Sequence, residues 1–174
     1  MSNTKLMINI FGPSTAGKST IAEMLQEHIE RLYTVDFDAV KRQIAGYYWK
    51  RDRAVATEIT HDTLASVANT ELPILVLLPT RGDEQSYDRI ASTASNHGRI
   101  LLNIEITAPN EVLIERYKDR LRKIKESGTN WKFKTLDEFI DFIKTPYYRP
   151  EDTHSFNSAT NTPDQILTQI LKLI

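Results

Sequence analysis

The strongest constraint on the fold is a glycine-containing loop, GPSTAGKS at positions 12–19, which fits the pattern G-x-x-x-x-G-K-[ST]. A strand-length apolar stretch, residues 6–11, precedes the loop, and a helical pattern follows it. Glycines let backbone N–H groups curl around an anion, and the start of a helix adds positive potential. The loop therefore predicts binding of a nucleoside triphosphate. The alternative, a chance glycine-rich turn, does not account for the strand and the helix on either side.

Two side chains of this phosphate loop have predicted chemical roles. Lys18 can reach the β- and γ-phosphates, which makes it a catalytic candidate, and the Ser19 hydroxyl can hold Mg²⁺. The loop therefore predicts a nucleoside triphosphate and Mg²⁺ as its ligands. The residues expected to bind the nucleotide at this loop are Gly12, Pro13, Ser14, Thr15, Ala16, Gly17, Lys18, Ser19 and Thr20.

Apolar stretches of strand length alternate with helical patterns along the 174 residues, which is typical of a parallel α/β sheet. The spacing predicts strands at 6–11, 32–35, 73–78, 100–106 and 155–158. It predicts helices at 17–30, 38–50, 54–68 and 83–96, and further helices after Pro109, Thr135 and Thr162. At about 150 residues per domain, we expect one domain, residues 1–174. Its expected class is α/β, a three-layer α/β/α P-loop NTPase fold with a five-stranded parallel sheet and a short helical lid at about 113–134.

Composition excludes several classes of protein. The chain has 22 Lys and Arg residues against 23 Asp and Glu residues, whereas dedicated nucleic-acid binders usually carry a basic excess. No cysteine is present, so disulfides, Cys-ligated zinc and iron–sulfur clusters are ruled out. No apolar stretch is long enough for a membrane span or an export signal. We therefore expect a cytoplasmic protein without a membrane partner.

Two classes of nucleotide hydrolase are disfavoured by missing residues. Switch GTPases need an N-K-x-D motif after a late strand, and the sequence NTPD at 161–164 lacks the lysine. Motor and transporter ATPases usually have an acidic residue at the end of an apolar strand. Here the apolar stretch at 73–78 is followed by the sequence PTR, which contains no acid.

Two aspartates follow the second predicted strand. Asp36 lies 18 residues after Lys18, and Asp38 is the next residue but one. In an open parallel sheet this strand ends at the same crevice as the phosphate loop. One carboxylate can support a metal, and the other can accept the proton of an attacking hydroxyl. The alternative is that the two aspartates only cap the helix that follows.

The helix predicted after the fourth strand is basic. Arg116 and Arg120 are four residues apart, so they share one helix face. A lid for phosphoryl transfer needs such cations, because negative charge spreads over the γ-phosphoryl oxygens in the transition state. The alternative is a solvated basic helix surface.

The segment YYWKRDR at positions 47–53 interleaves aromatic rings with cations. One interpretation is an acceptor pocket, in which rings stack on a base or a sugar and Arg51 or Arg53 binds an anion. The same mixture could stack single-stranded nucleic acid. The alternative is a helix end whose rings pack into the core.

Taken together, the phosphate loop, the aspartate pair and the arginine pair resemble the P-loop kinases of the nucleoside-monophosphate-kinase-like fold, over nearly the whole chain. The similarity is strongest to the adenylylsulfate kinase branch and its small-molecule kinase relatives. The similar segments are 12–22, YTVDFD at 33–38, APNEV at 108–112 and PYYRPE at 146–151. The resemblance implies transfer of a phosphoryl group from ATP to a hydroxyl of a nucleotide, nucleoside or sugar-like acceptor.

The resemblance also implies roles for single residues. Asp36 would support the metal together with Ser19, and Asp38 would orient or deprotonate the acceptor hydroxyl. Arg116 would lie near the adenine. Arg120 would lie near the phosphates, which makes it a catalytic candidate.

The sequence departs from the adenylylsulfate kinase branch on the substrate side. That branch follows its second aspartate with Asn and, two residues later, Arg, whereas Asp38 is followed by AVK at 39–41. Lysine does not replace arginine at a bidentate site, which argues against adenylylsulfate as the acceptor. Lys41 remains a candidate substrate residue. Arg81 corresponds to a substrate-side turn of the branch and is a candidate anion anchor; its alternative is an ordinary surface position.

The leading hypothesis is therefore a kinase whose partner is a small molecule with a hydroxyl group. A second hypothesis is a polynucleotide 5′-hydroxyl kinase that holds a strand with the basic lid and the aromatic segment. A third is a non-catalytic switch module that closes when ATP binds and presents a surface to a partner.

Overall fold

A computed structural model describes residues 5–78, 83–127 and 135–174. The strands are β1 (Leu6–Phe11), β2 (Tyr33–Asp36), β3 (Ile74–Leu77), β4 (Ile100–Thr107) and β5 (Thr153–Asn157). The helices are α1 (Lys18–His28), α2 (Phe37–Gln43), α3 (Trp49–Ala68), α4 (Glu84–Asn96), α5 (Asn110–Ser127), α6 (Leu136–Lys144) and α7 (Pro163–Leu171). All strand pairs are parallel, in the order β2-β3-β1-β4-β5. The predicted five-stranded parallel sheet is confirmed.

The central strand β1 lies where the winding of the sheet reverses. Successive strands after β1 lie on the β2–β3 side, and the chain then crosses to β4 and β5 on the other side. Ligands of open α/β sheets bind outside the carboxyl ends of the strands at such a reversal. The phosphate loop follows β1 directly and therefore lies at this crevice.

The two faces of the sheet are covered by two hydrophobic layers. On one face, Ile8 of β1 belongs to a buried cluster with Leu25 of α1. On the other face, Met7 packs in a cluster with Leu64 of α3 and Ile90 of α4. Near-continuous apolar strands are expected when helices cover both faces of a parallel sheet. The three-layer prediction is confirmed.

The region between β2 and β3 differs from the prediction. The helix predicted at 38–50 is wrong, because α2 ends well before position 50 and α3 begins at Trp49 rather than at position 54. Gly46 turns the chain with a φ of +65°. The Asp52 carboxylate then accepts a 2.7 Å hydrogen bond from the Tyr48 N–H. The aromatic segment therefore begins a helix instead of ending one.

Two strand boundaries also shift. Strand β2 was expected at 32–35 but extends to Asp36, which pairs with Leu77 of β3. Strand β5 was expected at 155–158 but begins at Thr153, which pairs with Asn103 of β4. Both differences arise because the strand ends are set by pairing with residues of a neighbouring strand that are remote in the sequence.

The helices predicted after Thr135 and Thr162 are confirmed, and local residues cap their ends. Thr135 and Glu138 form a reciprocal capping box at α6, and Thr162 and Gln165 form one at α7. Gly98, which follows α4, has a φ of +60°. Such caps satisfy the free N–H and C=O groups of helix ends with nearby residues, so the sequence pattern alone identifies them.

A buried arginine closes the end of α3. Arg99 is only 6% exposed. Its guanidinium donates hydrogen bonds to the carbonyl oxygens of Ala68 at 3.1 Å, Thr70 at 2.6 Å and Leu72 at 2.9 Å. These carbonyls belong to the end of α3 and the turn that leads to β3, where no helical partner is available. Arg99 therefore fixes this turn to the start of β4.

In the ranges that the structure describes, no helix is both long enough and apolar enough to cross a membrane.

Candidate active site

The backbone of the phosphate loop depends on glycine at its first position. Gly12 has a φ of +125°, and a Cβ built there would lie 2.1 Å from the carbonyl oxygen of Ile106 on β4. Gly17 and Thr15 also have positive φ values, +104° and +66°. The loop is therefore pressed against the carboxyl end of the neighbouring strand, at the reversal point of the sheet.

We expect Gly12→Ala to weaken ATP binding by about 100-fold or more, because the loop must move to make room for the methyl group. Isothermal titration with ATP and Mg²⁺ measures the change. Gly98→Ala is the matched control: its φ is also positive, but nothing lies within 4 Å of the added Cβ. That variant should lose a little stability and keep its ATP affinity. Equal ATP affinity for Gly12→Ala and the parent protein would contradict the assignment.

Lys18 lies at the centre of the candidate site. Its ammonium donates hydrogen bonds to the carbonyl oxygens of Gly12 at 2.9 Å and Pro13 at 2.8 Å. Burial lowers the pKa of Lys18 from 10.5 to about 8, while the charge of Asp38 raises it and that of Arg120 lowers it further. Asp38 and Arg120, the other two catalytic candidates, therefore each lie within electrostatic range of Lys18.

The lowered pKa of Lys18 predicts that binding of ATP depends on pH. The anionic phosphates favour the charged ammonium, so ATP should raise the pKa of Lys18 and binding above about pH 8 should take up a proton. We expect ATP affinity to fall by up to about tenfold per pH unit above about pH 8. Titrations in buffers of different ionisation enthalpy measure the proton uptake.

Lys18→Arg is the control for this pH dependence, because arginine stays charged throughout the range. Its ATP affinity should be nearly constant between about pH 7 and pH 9.5. A constant affinity in the parent protein over the same range would rule out the lowered pKa.

The two aspartates are held by neighbouring groups of α2. One Asp36 oxygen caps the helix by accepting a 2.8 Å hydrogen bond from the Asp38 N–H, and the other lies 3.3 Å from Arg42. Asp38 pairs with Lys41 at 2.7 Å. The capping interpretation is therefore correct for Asp36. Capping uses one of its two oxygens, and a carboxylate has further lone pairs for a metal.

The Lys41 ammonium is already surrounded by side chains of neighbouring residues. Its ammonium lies 5.5 Å from the ring centres of both Phe37 and Tyr47, in addition to its ion pair with Asp38. The two rings and the ion pair orient the Lys41 side chain toward Asp38, the candidate base. Its predicted role as a substrate residue stays a prediction.

Mg²⁺ fits the residues present. In the described ranges, no group of three or more His, Asp or Glu side chains could hold a metal without further ligands. Magnesium bound with a nucleotide usually takes one or two protein oxygens, together with phosphate oxygens and water. Ser19, which is exposed, and Asp36 at the end of β2 could supply those protein oxygens.

The first turns of α5 are tied to the phosphate loop. Arg116 donates to the carbonyl oxygens of Thr15 at 3.3 Å and Ala16 at 3.4 Å, and to the Ser158 hydroxyl at 2.8 Å. The Thr15 hydroxyl donates to the carbonyl of Leu113 at 3.0 Å. Arg116 therefore braces the loop in this structure, and its predicted contact with adenine stays a prediction.

The rest of α5 has two kinds of surface. Tyr117 stacks on Phe139 of α6, with ring centres 3.8 Å apart. On the exposed side, Lys118 pairs with Glu115 and Arg122 pairs with Asp119. The solvated-surface interpretation is therefore correct for these cations but not for Arg116. The predicted lid also includes positions 128–134, which lie outside the described residues.

The predicted substrate arginines differ in their surroundings. Arg51 pairs with Asp52 at 2.7 Å and donates to the Gly46 carbonyl at 3.1 Å, so it stabilises the first turn of α3. Arg53 is exposed, and no ion-pair partner for it is found among the described residues. Arg81 lies outside the described ranges. The alternative interpretation, in which the aromatic rings pack into the core, is wrong for Tyr48 and Trp49, which are 43% and 54% exposed.

One buried carboxylate, beside the strand that leads to the phosphate loop, was not predicted from the sequence. Glu105 of β4 is 7% exposed and accepts hydrogen bonds from Tyr147 at 2.6 Å, from Arg149 at 3.2 Å and from Ser155. Burial, reinforced by Glu105, raises the pKa of the Tyr147 phenol. The Tyr147 ring packs edge-on against Phe11, at a centre distance of 6.2 Å. The sequence feature that could have indicated this site is Glu105 itself, a single acidic residue within the apolar stretch at 100–106.

Comparisons with known proteins agree with this fold. Residues 7–146 match the family model AAA_33, which describes an AAA domain. The structure is similar to a candidate kinase from Chloroflexus aurantiacus, with 14% identity, coverage of 98% of this chain and 99% of that chain, and a TM-score of 0.76. It is similar to a gluconokinase from Sinorhizobium meliloti, with 17% identity, 98% and 94% coverage and a TM-score of 0.64. It is also similar to the Mycobacterium tuberculosis APS kinase CysC in complex with AMPPNP and APS, with 17% identity, 97% and 96% coverage and a TM-score of 0.62. No curated protein sequence matches the chain.

Proposed function

The chain belongs to the AAA domain family AAA_33, and on this basis we propose that it is an ATP-dependent kinase for a small molecule with a hydroxyl group. Its fold is that of P-loop kinases. We propose that residues 1–174 act as one kinase domain, in the cytoplasm. The acceptor is a nucleotide, a nucleoside or a sugar-like compound.

One observation carries the proposal: Asp38 lies in the first turn of α2, directly after β2, at the sheet edge that holds the phosphate loop, and its charge and that of Arg120 act on the pKa of Lys18. A carboxylate at this position suits a kinase, because the acceptor hydroxyl must lose a proton as it attacks phosphorus. The neighbouring cations offset the negative charge of the phosphoryl oxygens.

The proposed reaction forms a bond between the acceptor oxygen and the γ-phosphorus and breaks the bond between that phosphorus and the β–γ bridging oxygen. The products are ADP and a phosphate ester, and the hydroxyl proton passes to an Asp38 oxygen. Lys18 and Arg120 bind the phosphoryl oxygens, and Ser19 and Asp36 hold Mg²⁺. When bound, the metal neutralises phosphate charge and fixes the geometry of the transfer.

We expect Asp38→Asn to reduce acceptor-dependent ADP release by about 100-fold or more, since a positioned base usually contributes that much. ATP affinity should change little, because Asp38 does not touch the phosphates in this assignment. An ADP-release screen across nucleosides, nucleotides, sugars, sugar acids and short oligonucleotides identifies the acceptor and measures the loss.

Asp62→Asn is the matched control, because Asp62 is an exposed acid on α3. It should leave both ADP release and ATP affinity unchanged. Full turnover by Asp38→Asn would remove Asp38 from the mechanism. Tight ATP binding without transfer to any acceptor would favour a nucleotide-dependent switch module over an enzyme.

The exposure of two aromatic rings favours one second candidate, a polynucleotide 5′-hydroxyl kinase. Tyr48 and Trp49 are accessible, and the Lys50 ammonium lies 5.5 Å from the Trp49 ring centre. Accessible rings beside cations suit the stacking of single-stranded bases. Binding of an oligonucleotide that weakens steeply with salt would support this candidate, and absence of binding at low salt would exclude it.

A further inference from the structure

The phosphate loop contains one residue whose backbone conformation is unfavourable for its side chain. Thr15 has a φ of +66°, in the left-handed region that glycine favours. A β-branched residue is a steric outlier there, because the two heavy atoms on its Cβ crowd the backbone. Among the described residues, Arg31 is the one other non-glycine residue with a positive φ, +61°. Contacts around Thr15 must therefore offset its strain.

The positive φ at position 15 contributes to the shape of the loop. Gly17 also has a positive φ, +104°, whereas Ser14 and Ala16 do not. Backbone units that alternate between right-handed and left-handed conformations turn successive N–H groups toward one point, and they form a concavity that binds anions. Gly17 adopts the left-handed conformation at little cost, but Thr15 does not. The concavity therefore depends on a threonine that is held in a conformation it disfavours.

The Thr15 hydroxyl is bonded to helix α5. It donates to the carbonyl oxygen of Leu113 at 3.0 Å and shares its hydrogen with the carbonyl oxygen of Ser14 at 2.6 Å. The Leu113 residue is 1% exposed and packs in the hydrophobic cluster beneath α5, so this acceptor has a fixed position. One hydrogen bond to a fixed acceptor is comparable in free energy to the strain of one left-handed residue. The contact with α5 can therefore hold Thr15 in place.

The backbone of Thr15 is bonded to the same helix. Arg116 of α5 donates to the carbonyl oxygens of Thr15 at 3.3 Å and Ala16 at 3.4 Å. Its guanidinium is anchored in turn by the Ser158 hydroxyl at 2.8 Å and the Ser158 carbonyl at 2.9 Å. The side chain and the carbonyl of the strained residue thus both depend on the position of α5.

We propose that Thr15 is a positioning residue that couples phosphate binding to α5: its hydroxyl, bonded to the Leu113 carbonyl, holds the loop backbone in the conformation that binds the phosphates. Separation of α5 from the loop releases Thr15 and lowers the affinity for the nucleotide. Bound phosphates in turn strengthen the contact with α5, because coupling between two equilibria is reciprocal. This inference rests on the proposed binding of ATP at the loop, and it does not depend on the transfer step.

Three substitutions at position 15 separate the hydroxyl from the backbone. Thr15→Ser keeps the hydroxyl, Thr15→Ala removes it but keeps Cβ, and Thr15→Gly removes it together with the left-handed strain. We expect Thr15→Ala to bind ADP and Mg²⁺ about tenfold or more weakly than the parent protein, and Thr15→Ser to stay within about threefold of it. Thr15→Gly should bind about fivefold or more tightly than Thr15→Ala. Isothermal titration measures these affinities without turnover.

Amide hydrogen exchange tests the link to α5 itself. In the parent protein and in Thr15→Ser, saturating ADP and Mg²⁺ should slow exchange at residues 110–117 by about fivefold or more. In Thr15→Gly the same saturation should slow it by less than about twofold, because no hydroxyl connects the loop with Leu113. A residue that only stabilised the folded chain would shift the denaturation midpoint and leave this nucleotide-dependent protection unchanged.

Arg31→Ala and Arg31→Gly are the matched controls. Arg31 has nearly the same φ as Thr15, but it is exposed and follows the end of α1 that is remote from the phosphate loop. Glycine should again be more stable to urea than alanine, whereas both variants should bind ADP like the parent protein and keep the protection of α5. If Thr15→Ala does not fold, the exchange rates of Thr15→Ser and Thr15→Gly decide the test.

The outcomes separate this inference from the proposed function. The inference is wrong if Thr15→Ala binds ADP as tightly as Thr15→Ser, or if Thr15→Gly keeps the full nucleotide-dependent protection of α5. If phosphoryl transfer occurs and all three variants bind ADP equally, the kinase assignment stands and the inference fails. If binding follows the expected order but no acceptor is phosphorylated, the inference stands and the kinase assignment fails. A parent protein that binds neither ADP nor ATP would overturn both.

Discussion

Lys18→Met is expected to reduce phosphoryl transfer by about 1000-fold, the loss typical of removing a transition-state charge contact, and at the same time to stabilise the fold. A pKa lowered from 10.5 to about 8 means that the charged form of Lys18 is less stable in the folded chain than in the unfolded chain. The corresponding cost is about 3 kcal/mol of unfolding free energy at neutral pH. It is present below about pH 8 and is relieved as the pH rises toward 10.5, the value in the unfolded chain.

Methionine removes this cost and also removes two hydrogen bonds to the loop carbonyls, each worth about 1 kcal/mol. The expected net change is a gain of about 1 kcal/mol in the free energy of unfolding, measured by urea denaturation near pH 7. The gain should disappear near pH 10, where the parent lysine is neutral. Lys172→Met controls for the loss of an exposed positive charge and should have no such pH dependence. A less stable Lys18→Met protein at neutral pH would show that the lysine stabilises the loop instead of straining it.

Arg99→Met is expected to lower the free energy of unfolding by about 3–5 kcal/mol. The substitution keeps much of the side-chain volume but leaves the carbonyl oxygens of Ala68, Thr70 and Leu72 without their donor. Each buried, unsatisfied polar group costs about 1–3 kcal/mol. Urea denaturation with a constant m-value measures the loss.

Arg99→Lys provides the matched control for this prediction. Lysine retains a positive charge but cannot reach three carbonyls with one planar fork, so it should recover only part of the loss. Arg122→Met, at an exposed ion pair on α5, should cost less than about 1 kcal/mol. A comparable effect of Arg122→Met and Arg99→Met would mean that the carbonyl contacts do not stabilise the fold.

The parts of the fold that the sequence predicts are those determined by neighbouring residues. The phosphate loop and the capping boxes at Thr135 and Thr162 depend on residues at most a few positions apart. The strand register, the turn at Gly46 and the role of Arg99 depend on contacts between remote segments. No local pattern encodes the partner of a buried arginine, so that part of the fold could not be predicted.

In the candidate site, too, the features determined by neighbouring residues were predicted and those determined by remote contacts were not. The pattern around Lys18 identified the loop, and its spacing to Asp38 placed both at one crevice. The pattern could not distinguish Arg51, which stabilises its own helix, from Arg53, which is exposed and has no ion-pair partner among the described residues, because both follow the same aromatic residues. Glu105 was missed because its partners at 147–155 are contributed by a segment some forty residues away.

Hydrogen bonds to the phosphate loop hold the first turns of α5 in place, whereas its last turns extend away from the loop. Thr15 and Arg116 tie its first turns to the loop, and the stack of Tyr117 on Phe139 holds the next turn. Leu121 also packs against the core, so the part of α5 beyond these contacts is residues 122–127, about 9 Å at 1.5 Å per residue. A tilt of about 20° there would move the far end by about 3 Å. Movement of the far end of α5 thus requires little rearrangement around the phosphate loop.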